Sequence, residues 1–258
     1  MAQAVDYPVE FFVKGRDAGE TSADAVVPHV MRLVNPDSVV DVGCGEGLWL
    51  GAFARHGVTR KLGIDGDYVQ RERLRFPASE FQARDLSQQP FKLADRFALV
   101  VSLEVAEHLP ASAAAGFVES LVGLGPCVLF SAAVPFQGGT HHVNEQWQDY
   151  WAQLFAARGY IAIDAIRPIV WNDAAVTFYY RQNILLFVSA THLPNLPELQ
   201  RLHDATRHVP LAYAHPQFVT YLATGLSDQQ MDSLYLGKVL PRLPGMVARA
   251  IKRRLGFS

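Results

Sequence analysis

The chain has 258 residues, of which 50% are hydrophobic and 19% charged, and its 23 basic and 25 acidic residues give a formal net charge of -2. This composition excludes a disordered or collagen-like chain, and two cysteines are too few for a disulfide-rich scaffold. No apolar run reaches the roughly 20 residues of a membrane span, and the N-terminus shows no secretory pattern, so we expect a soluble cytoplasmic protein.

Short apolar runs alternate with helix-like segments along most of the chain. Runs typical of strands that are buried on both faces lie at residues 38–42, 61–64, 97–103, 127–133, 160–166 and 183–189. Apolar residues recur at helical spacing over residues 48–56, 112–123 and 145–158. The alternation predicts an α/β fold with a mostly parallel sheet between two helical layers. Gly57 and Gly159 each precede a strand, and we expect them to end helices.

Three regions follow from this pattern. We expect an N-terminal helical cover at residues 1–34, an α/β domain at residues 35–190, and a helical C-terminal extension at residues 191–258 that is interrupted by prolines. Within the extension, residues 245–258 combine apolar positions with several cations. This segment predicts either a helix that contacts an anionic membrane surface, which would place the protein at the inner membrane surface, or a solvated basic tail.

A glycine-rich turn, DVGCGEG, occupies residues 41–47, directly after a predicted strand and before a predicted helix. Gly43 and Gly45 allow the backbone to approach a ligand closely, and the helix that follows offers unpaired N–H groups. Asp65 ends the next strand, where a carboxylate accepts hydrogen bonds from ribose hydroxyls. The third glycine comes one residue too early for a dinucleotide fingerprint, and Asp41 suits a cationic ligand better than a pyrophosphate.

The segments DVGCGEG and GID (residues 63–65) resemble the first two motifs of class I S-adenosylmethionine-dependent methyltransferases. The segment ARDL (residues 83–86) lies where this family binds adenine. The resemblance implies a Rossmann-like seven-strand sandwich, with a helical C-terminal appendage in this chain, and S-adenosylmethionine as the cofactor. The cofactor-binding residues that it implies are Asp41, Gly43, Cys44, Gly45, Asp65, Gly66, Asp85, Leu86 and Leu103.

An E-x-x-E-H pattern follows the predicted fourth strand, at the sheet edge where open α/β folds bind their ligands. If this segment is helical, Glu104, Glu107 and His108 share one face. Two carboxylates on one face repel each other unless a cation lies between them, and oxygen and imidazole ligands suit Mg²⁺ or Mn²⁺.

A glycine-rich loop after the fifth predicted strand brings two adjacent histidines, His141 and His142, to the same sheet edge. Together with E-x-x-E-H, this loop resembles metal-dependent O-methyltransferases. The resemblance implies the metal ligands Glu104, Glu107, His108 and His142, with His141 as the alternative to His142. Without a metal, His108, His142 and Glu107 are candidates for acid–base catalysis, and a purely structural role also stays open.

The acceptor is indicated less directly. An Asn/Asp-Pro-Pro-aromatic motif, typical of DNA amino-methylation, is absent from the sequence, and a nucleic-acid partner is not favoured. Residues 166–187 combine Trp, Tyr, Arg and Gln, which is typical of a carbohydrate pocket or of an aromatic core. The longer stretch 138–187 resembles bacterial methyltransferases associated with the modification of surface glycans or sugars. We therefore predict O-methylation of a small-molecule sugar or glycan hydroxyl. The alternatives are RNA ribose 2′-O-methylation, methylation of a catechol- or quinone-type aromatic, and a non-catalytic S-adenosylmethionine-binding scaffold.

Overall fold

The computed structural model describes residues 9–224 and contains a seven-stranded mixed sheet. The strands are β1 Ser38–Val42, β2 Arg60–Asp65, β3 Phe81–Ala83, β4 Leu99–Leu103, β5 Cys127–Ser131, β6 Tyr160–Ile163 and β7 Leu185–Ser189. Their order is β3-β2-β1-β4-β5-β7-β6, and β7 runs antiparallel to both of its neighbours. The predicted Rossmann-like seven-strand fold is confirmed.

Helices follow or precede most of these strands. They are α1 Val9–Val34, α2 Leu48–Arg55, α3 Ala114–Leu124, α4 Gln148–Ala156, α5 Arg167–Val170, α6 Phe178–Asn183, α7 Pro197–Thr206 and α8 Pro216–Thr224. Gly57 and Gly159, just beyond α2 and α4, have φ angles of 90° and 75°. Both glycines therefore end helices in the left-handed conformation, as predicted.

The core forms two layers, one on each face of the sheet. Leu50 and Phe53 of α2 pack in the first layer together with apolar residues of α1, and Phe117 and Phe155 of α3 and α4 pack in the second. Successive residues of β1 contribute to opposite layers, as the alternation of side chains along a strand requires. The sheet is thus covered on both faces, and its strand ends are left to carry polar groups.

The chain divides into two compact units, one ending at His215 and one beginning at Pro216. Leu193 and Leu199 belong to the first core layer, so the described start of the C-terminal extension packs with the α/β domain. No helix among residues 9–224 is long and apolar enough to cross a membrane. The segment 245–258, for which a membrane-surface helix and a solvated basic tail are the two expectations, lies outside the described residues.

Two glycines give opposite expectations for the same substitution. A Cβ at Gly63 of β2 would lie 2.4 Å from the ring of Phe76 and 2.8 Å from Cys44 Sγ, so Gly63→Ala should overpack the core and reduce the free energy of unfolding by about 1–3 kcal/mol. Gly123 of α3 has open space around it, so Gly123→Ala should raise that free energy by about 0.5–1 kcal/mol. Urea unfolding of both variants measures the difference, and equal effects would contradict the packing around Gly63.

Candidate active site

The glycine turn between β1 and α2 is held tightly against its surroundings. The N–H groups of Gly43 and Cys44 both donate to the carbonyl of Ile64, at 2.7 and 3.2 Å. Gly43 has a φ of 86°, and a Cβ there would lie 2.3 Å from Val105 Cγ2. Only glycine fits this position without displacing its neighbours. Because Val105 lies inside the E-x-x-E-H segment, the glycine turn and that segment are in direct contact.

Two buried carboxylates lie at the ends of β1 and β2. Asp41 is 2% exposed and Asp65 is 4% exposed. Asp65 accepts hydrogen bonds from the N–H groups of Gly45 and Gly66, both at 2.7 Å, and from the hydroxyl of Tyr68. Burial raises the pKa of both carboxyl groups, and the nearby charge of Asp65 raises the pKa of Asp41 further. This pocket therefore favours a ligand that brings positive charge or hydroxyl donors.

The other predicted cofactor residues have different surroundings. Cys44, Leu86 and Leu103 are buried, and the N–H of Arg84 donates to the carbonyl of Asp65 at 2.7 Å, which brings the end of β3 beside the ribose-binding candidate. Asp85 is exposed, and its carboxylate accepts hydrogen bonds within its own turn, from Ser87 and Gln88. These bonds lower the pKa of Asp85. The structure thus places Asp85 at the expected strand end, with its carboxylate engaged locally.

The E-x-x-E-H segment is not the α-helical turn that we considered. Glu104 has a φ of 55°, and the turn Ala106–His108 is a 3₁₀ helix. Glu104 accepts hydrogen bonds from the side-chain amides of Gln137, at 2.7 Å, and Asn183, at 3.1 Å. The carboxylate of Glu104 is therefore already satisfied by two neutral donors.

Glu107 is the buried carboxylate of this segment. Its side chain is 0% exposed, and neither oxygen forms a hydrogen bond of ordinary geometry. Burial and the charge of Glu104 raise its pKa well above the usual value, and the N–H groups of Glu107 and Ala133 oppose this shift only in part. A buried carboxylate without good partners is costly, which is typical of a group that binds something absent from the chain itself.

Two imidazoles lie beside Glu107. The rings of His108 and His142 are 4.9 Å apart at an angle of 85°. One donor atom from each of Glu107, His108 and His142 lies within 4.8 Å of the other two. Burial, with a smaller effect of His142, lowers the pKa of His108 to about 4, so its ring is neutral at physiological pH. The structure therefore groups three of the four predicted metal ligands, and it selects His142 rather than His141.

Glu145 is a site residue that the sequence did not identify as functional. Its carboxylate accepts hydrogen bonds from the N–H groups of Phe136 and Gly138, at 2.8 and 2.7 Å, and lies 2.9 Å from His142 Nδ1. When Nδ1 carries the proton, Nε2 of His142 presents a lone pair. Glu145 therefore orients His142 and closes the loop between β5 and α4.

Side chains of the aromatic segment, residues 166–187, have two kinds of surroundings. Tyr180 packs edge-on against Trp49 with ring centroids 5.1 Å apart. Burial raises the pKa of Tyr180 well above its usual value, and the charge of Glu104 adds to this increase. By contrast, Arg167 pairs with Asp164, and Gln182 donates to a backbone carbonyl. Both residues belong to the segment 166–187, for which a carbohydrate pocket is one expectation, but these polar contacts hold the fold.

Comparisons with known proteins agree with this fold. Residues 20–167 match the family model of the methyltransferase domain. The crystal structure of DesVI from Streptomyces venezuelae has a TM-score of 0.54 and 16% identity, over 71% of this chain and 100% of that chain. The sugar N-methyltransferase KedS8 from Streptoalloteichus sp ATCC 53650 has a TM-score of 0.57 and 14% identity, over 73% of this chain and 95% of that chain. No curated protein matches the sequence. The chain belongs to the methyltransferase-domain family and is an S-adenosylmethionine-dependent methyltransferase of the class I fold.

Proposed function

We propose that the protein transfers a methyl group from S-adenosylmethionine to a hydroxyl oxygen of a sugar or glycan-type acceptor, with a divalent metal at Glu107, His108 and His142. The observation that carries this proposal is the group of three donor atoms within 4.8 Å, one of them from a fully buried carboxylate. The contact between Val105 and Gly43 joins this group to the cofactor turn.

The cofactor site is supported by its chemistry. The turn at Gly43 and Gly45 would take the methionine end of S-adenosylmethionine, and Asp65 would accept hydrogen bonds from the ribose hydroxyls. Oδ1 of Asp65 accepts from Gly66 and Tyr68, whereas Oδ2 accepts from Gly45 alone and retains a further lone pair for the ribose. The buried negative charge at Asp41 and Asp65 favours a sulfonium over an anionic ligand. Asp85 and Leu86 would lie against the adenine.

The metal site is supported by the donor set. Glu107 would supply a carboxylate oxygen, and His108 and His142 would supply neutral imidazole nitrogens, a combination that suits Mn²⁺ and related ions. A bound divalent ion lowers the pKa of a hydroxyl that contacts it. Glu145 would hold His142 in the tautomer that a metal ligand needs. Glu104 is not part of this group, and each of its oxygens accepts one amide hydrogen bond, from Gln137 or Asn183.

The reaction balances without another reagent. The acceptor oxygen forms a bond to the methyl carbon while the carbon–sulfur bond breaks, and the electron pair remains on sulfur to give S-adenosylhomocysteine. The acceptor proton passes to a base or to water. The sugar N-methyltransferase KedS8 shares this fold, but a neutral amine is a good nucleophile, whereas a sugar hydroxyl is a weak one until its proton is removed. A site that lowers a hydroxyl pKa favours an oxygen acceptor.

Transfer of tritiated methyl from S-adenosylmethionine to simple glycosides tests the proposal. We expect label on a sugar oxygen, with at least about tenfold lower turnover after EDTA treatment and recovery on addition of Mn²⁺ or Mg²⁺. Treatment with EDTA followed by re-addition of the removed metal serves as the control for damage to the protein. Label only on amino sugars would contradict O-methylation, and turnover that is insensitive to EDTA would contradict the metal.

A further inference from the structure

The loop between β5 and α4, residues 135–147, exposes three large apolar side chains. Phe136 is 78% exposed, Val143 is 65% exposed and Trp147 is 39% exposed. The same loop carries His142, one of the three proposed metal ligands. Because all three lie on the loop that also carries a proposed metal ligand, this loop is a candidate surface for binding an apolar group.

The backbone of this loop holds Phe136 outward at an energetic cost. Phe136 has a φ of 71°, and His141 has a φ of 60°, both in the left-handed region that disfavours bulky residues. The N–H of Phe136 is fixed by Glu145, as described above. Strained residues persist only where the surroundings impose them, and they cluster at ligand sites.

The loop is attached to the turn that carries the proposed metal ligands. The N–H groups of Val143 and Asn144 both donate to the carbonyl of Glu107, at 2.9 and 3.0 Å. Farther along, the N–H of Gln146 donates to the carbonyl of Ala133 at 3.1 Å, just before Trp147, the N-cap residue of α4. An acceptor whose hydroxyl reaches Glu107 therefore lies beside this apolar loop.

The charged residues around this loop disfavour anionic ligands. Residues 97–157, which include both the E-x-x-E-H segment and the loop, contain neither lysine nor arginine. Their charged side chains are carboxylates, among them Glu104, Glu107 and Glu145. A phosphorylated acceptor, a nucleic acid and an anionic bilayer all favour basic side chains at the point of contact, and residues 97–157 contribute none.

We infer that the acceptor is an uncharged glycoside with an aryl or alkyl group, whose sugar hydroxyl meets the Glu107 cluster and whose apolar group packs on Phe136, Val143 and Trp147. This inference rests on the proposed function and names its substrate class. Burial of an aryl group against these side chains supplies binding energy that a methyl glycoside lacks.

Paired glycosides test the inference. Methyl, phenyl and octyl glycosides of the same neutral sugars are compared as acceptors in the tritiated-methyl assay with the full chain. For the best sugar, we expect kcat/KM of the phenyl or octyl glycoside to exceed that of the methyl glycoside by about tenfold or more, mainly through KM. Phe136→Gly, which also suits the positive φ, and Val143→Ser and Trp147→Ser should each reduce this ratio. Val209→Ser, at an apolar residue that is 54% exposed on the turn after α7, is the matched control and should preserve it.

The outcomes separate the two proposals. Transfer to glycosides without an advantage for phenyl or octyl groups would overturn the substrate class and leave O-methylation standing. Transfer to none of them would overturn the proposed function, and the substrate class with it. Sedimentation with phosphatidylglycerol vesicles that is lost on Trp147→Ser would also overturn the inference, because the loop would then bind a membrane surface.

Discussion

Glu107→Gln is expected to reduce kcat by about 10²–10⁴-fold while leaving the affinity for S-adenosylmethionine within about twofold of the wild type. Glutamine keeps the size of the side chain but removes its charge, and one of the two oxygens becomes a donor that cannot bind a metal or accept a proton. Because Glu107 is fully buried and poorly paired, the neutral side chain should also raise or preserve the thermal stability of the metal-free protein. Single-turnover kinetics, calorimetry with S-adenosylmethionine and thermal melting measure the three quantities.

The matched control is Glu119→Gln on α3, where the side chain is 55% exposed and lies 3.9 Å from Arg158. This change should leave kcat, cofactor affinity and melting temperature nearly unaltered, since exposed ion pairs contribute little. A Glu107→Gln enzyme with more than half of the wild-type kcat would contradict the role of the cluster. Loss of both activity and stability would instead indicate that Glu107 is a structural residue.

The regular parts of this fold and the glycine turn are predictable because they depend on residues close together in sequence. β1, β5 and β7 are continuous apolar runs, and they became buried strands. Gly43 and Gly45 follow such a run directly, so their role in a tight turn is a local property. β3 has only three residues, two of them partly buried and one exposed, and therefore gave no apolar run to identify.

The electrostatic partners within the site were not predictable, because they come from distant segments. Asn183, which donates to Glu104, lies on α6, and Gln137 comes from the loop after β5. Each of these amides donates to one oxygen of Glu104. The E-x-x-E-H spacing alone does not distinguish Glu104 from Glu107. Glu145 lies three residues after His142, but nothing in that spacing reveals that it also binds two backbone N–H groups. The sequence motif predicted which residue types lie at this sheet edge. The side-chain hydrogen bonds that each of them forms depend on the tertiary fold.

Asp65→Asn is expected to raise the dissociation constant of S-adenosylmethionine by about 10- to 100-fold. The carboxylate accepts from Gly45 and Gly66 through different oxygens, and it is the residue that we place on the ribose hydroxyls. An amide nitrogen at either position would face an N–H donor and could not accept from the ribose. Hydrogen bonds to a charged group contribute about 1.5–3 kcal/mol, and every 1.4 kcal/mol changes affinity tenfold.

Asp67→Asn is the matched control for this prediction, because its side chain is 90% exposed, lies two residues away and pairs with Arg71 at the surface. Calorimetric titration of both variants with S-adenosylmethionine should show the loss for Asp65→Asn alone. If the two variants bind equally well, then Asp65 only supports the turn, and the ribose must be bound elsewhere. If Asp65→Asn loses affinity for S-adenosylmethionine but keeps its melting temperature, the loss reflects a missing contact with the cofactor. A collapse of the glycine turn would lower both the affinity and the melting temperature.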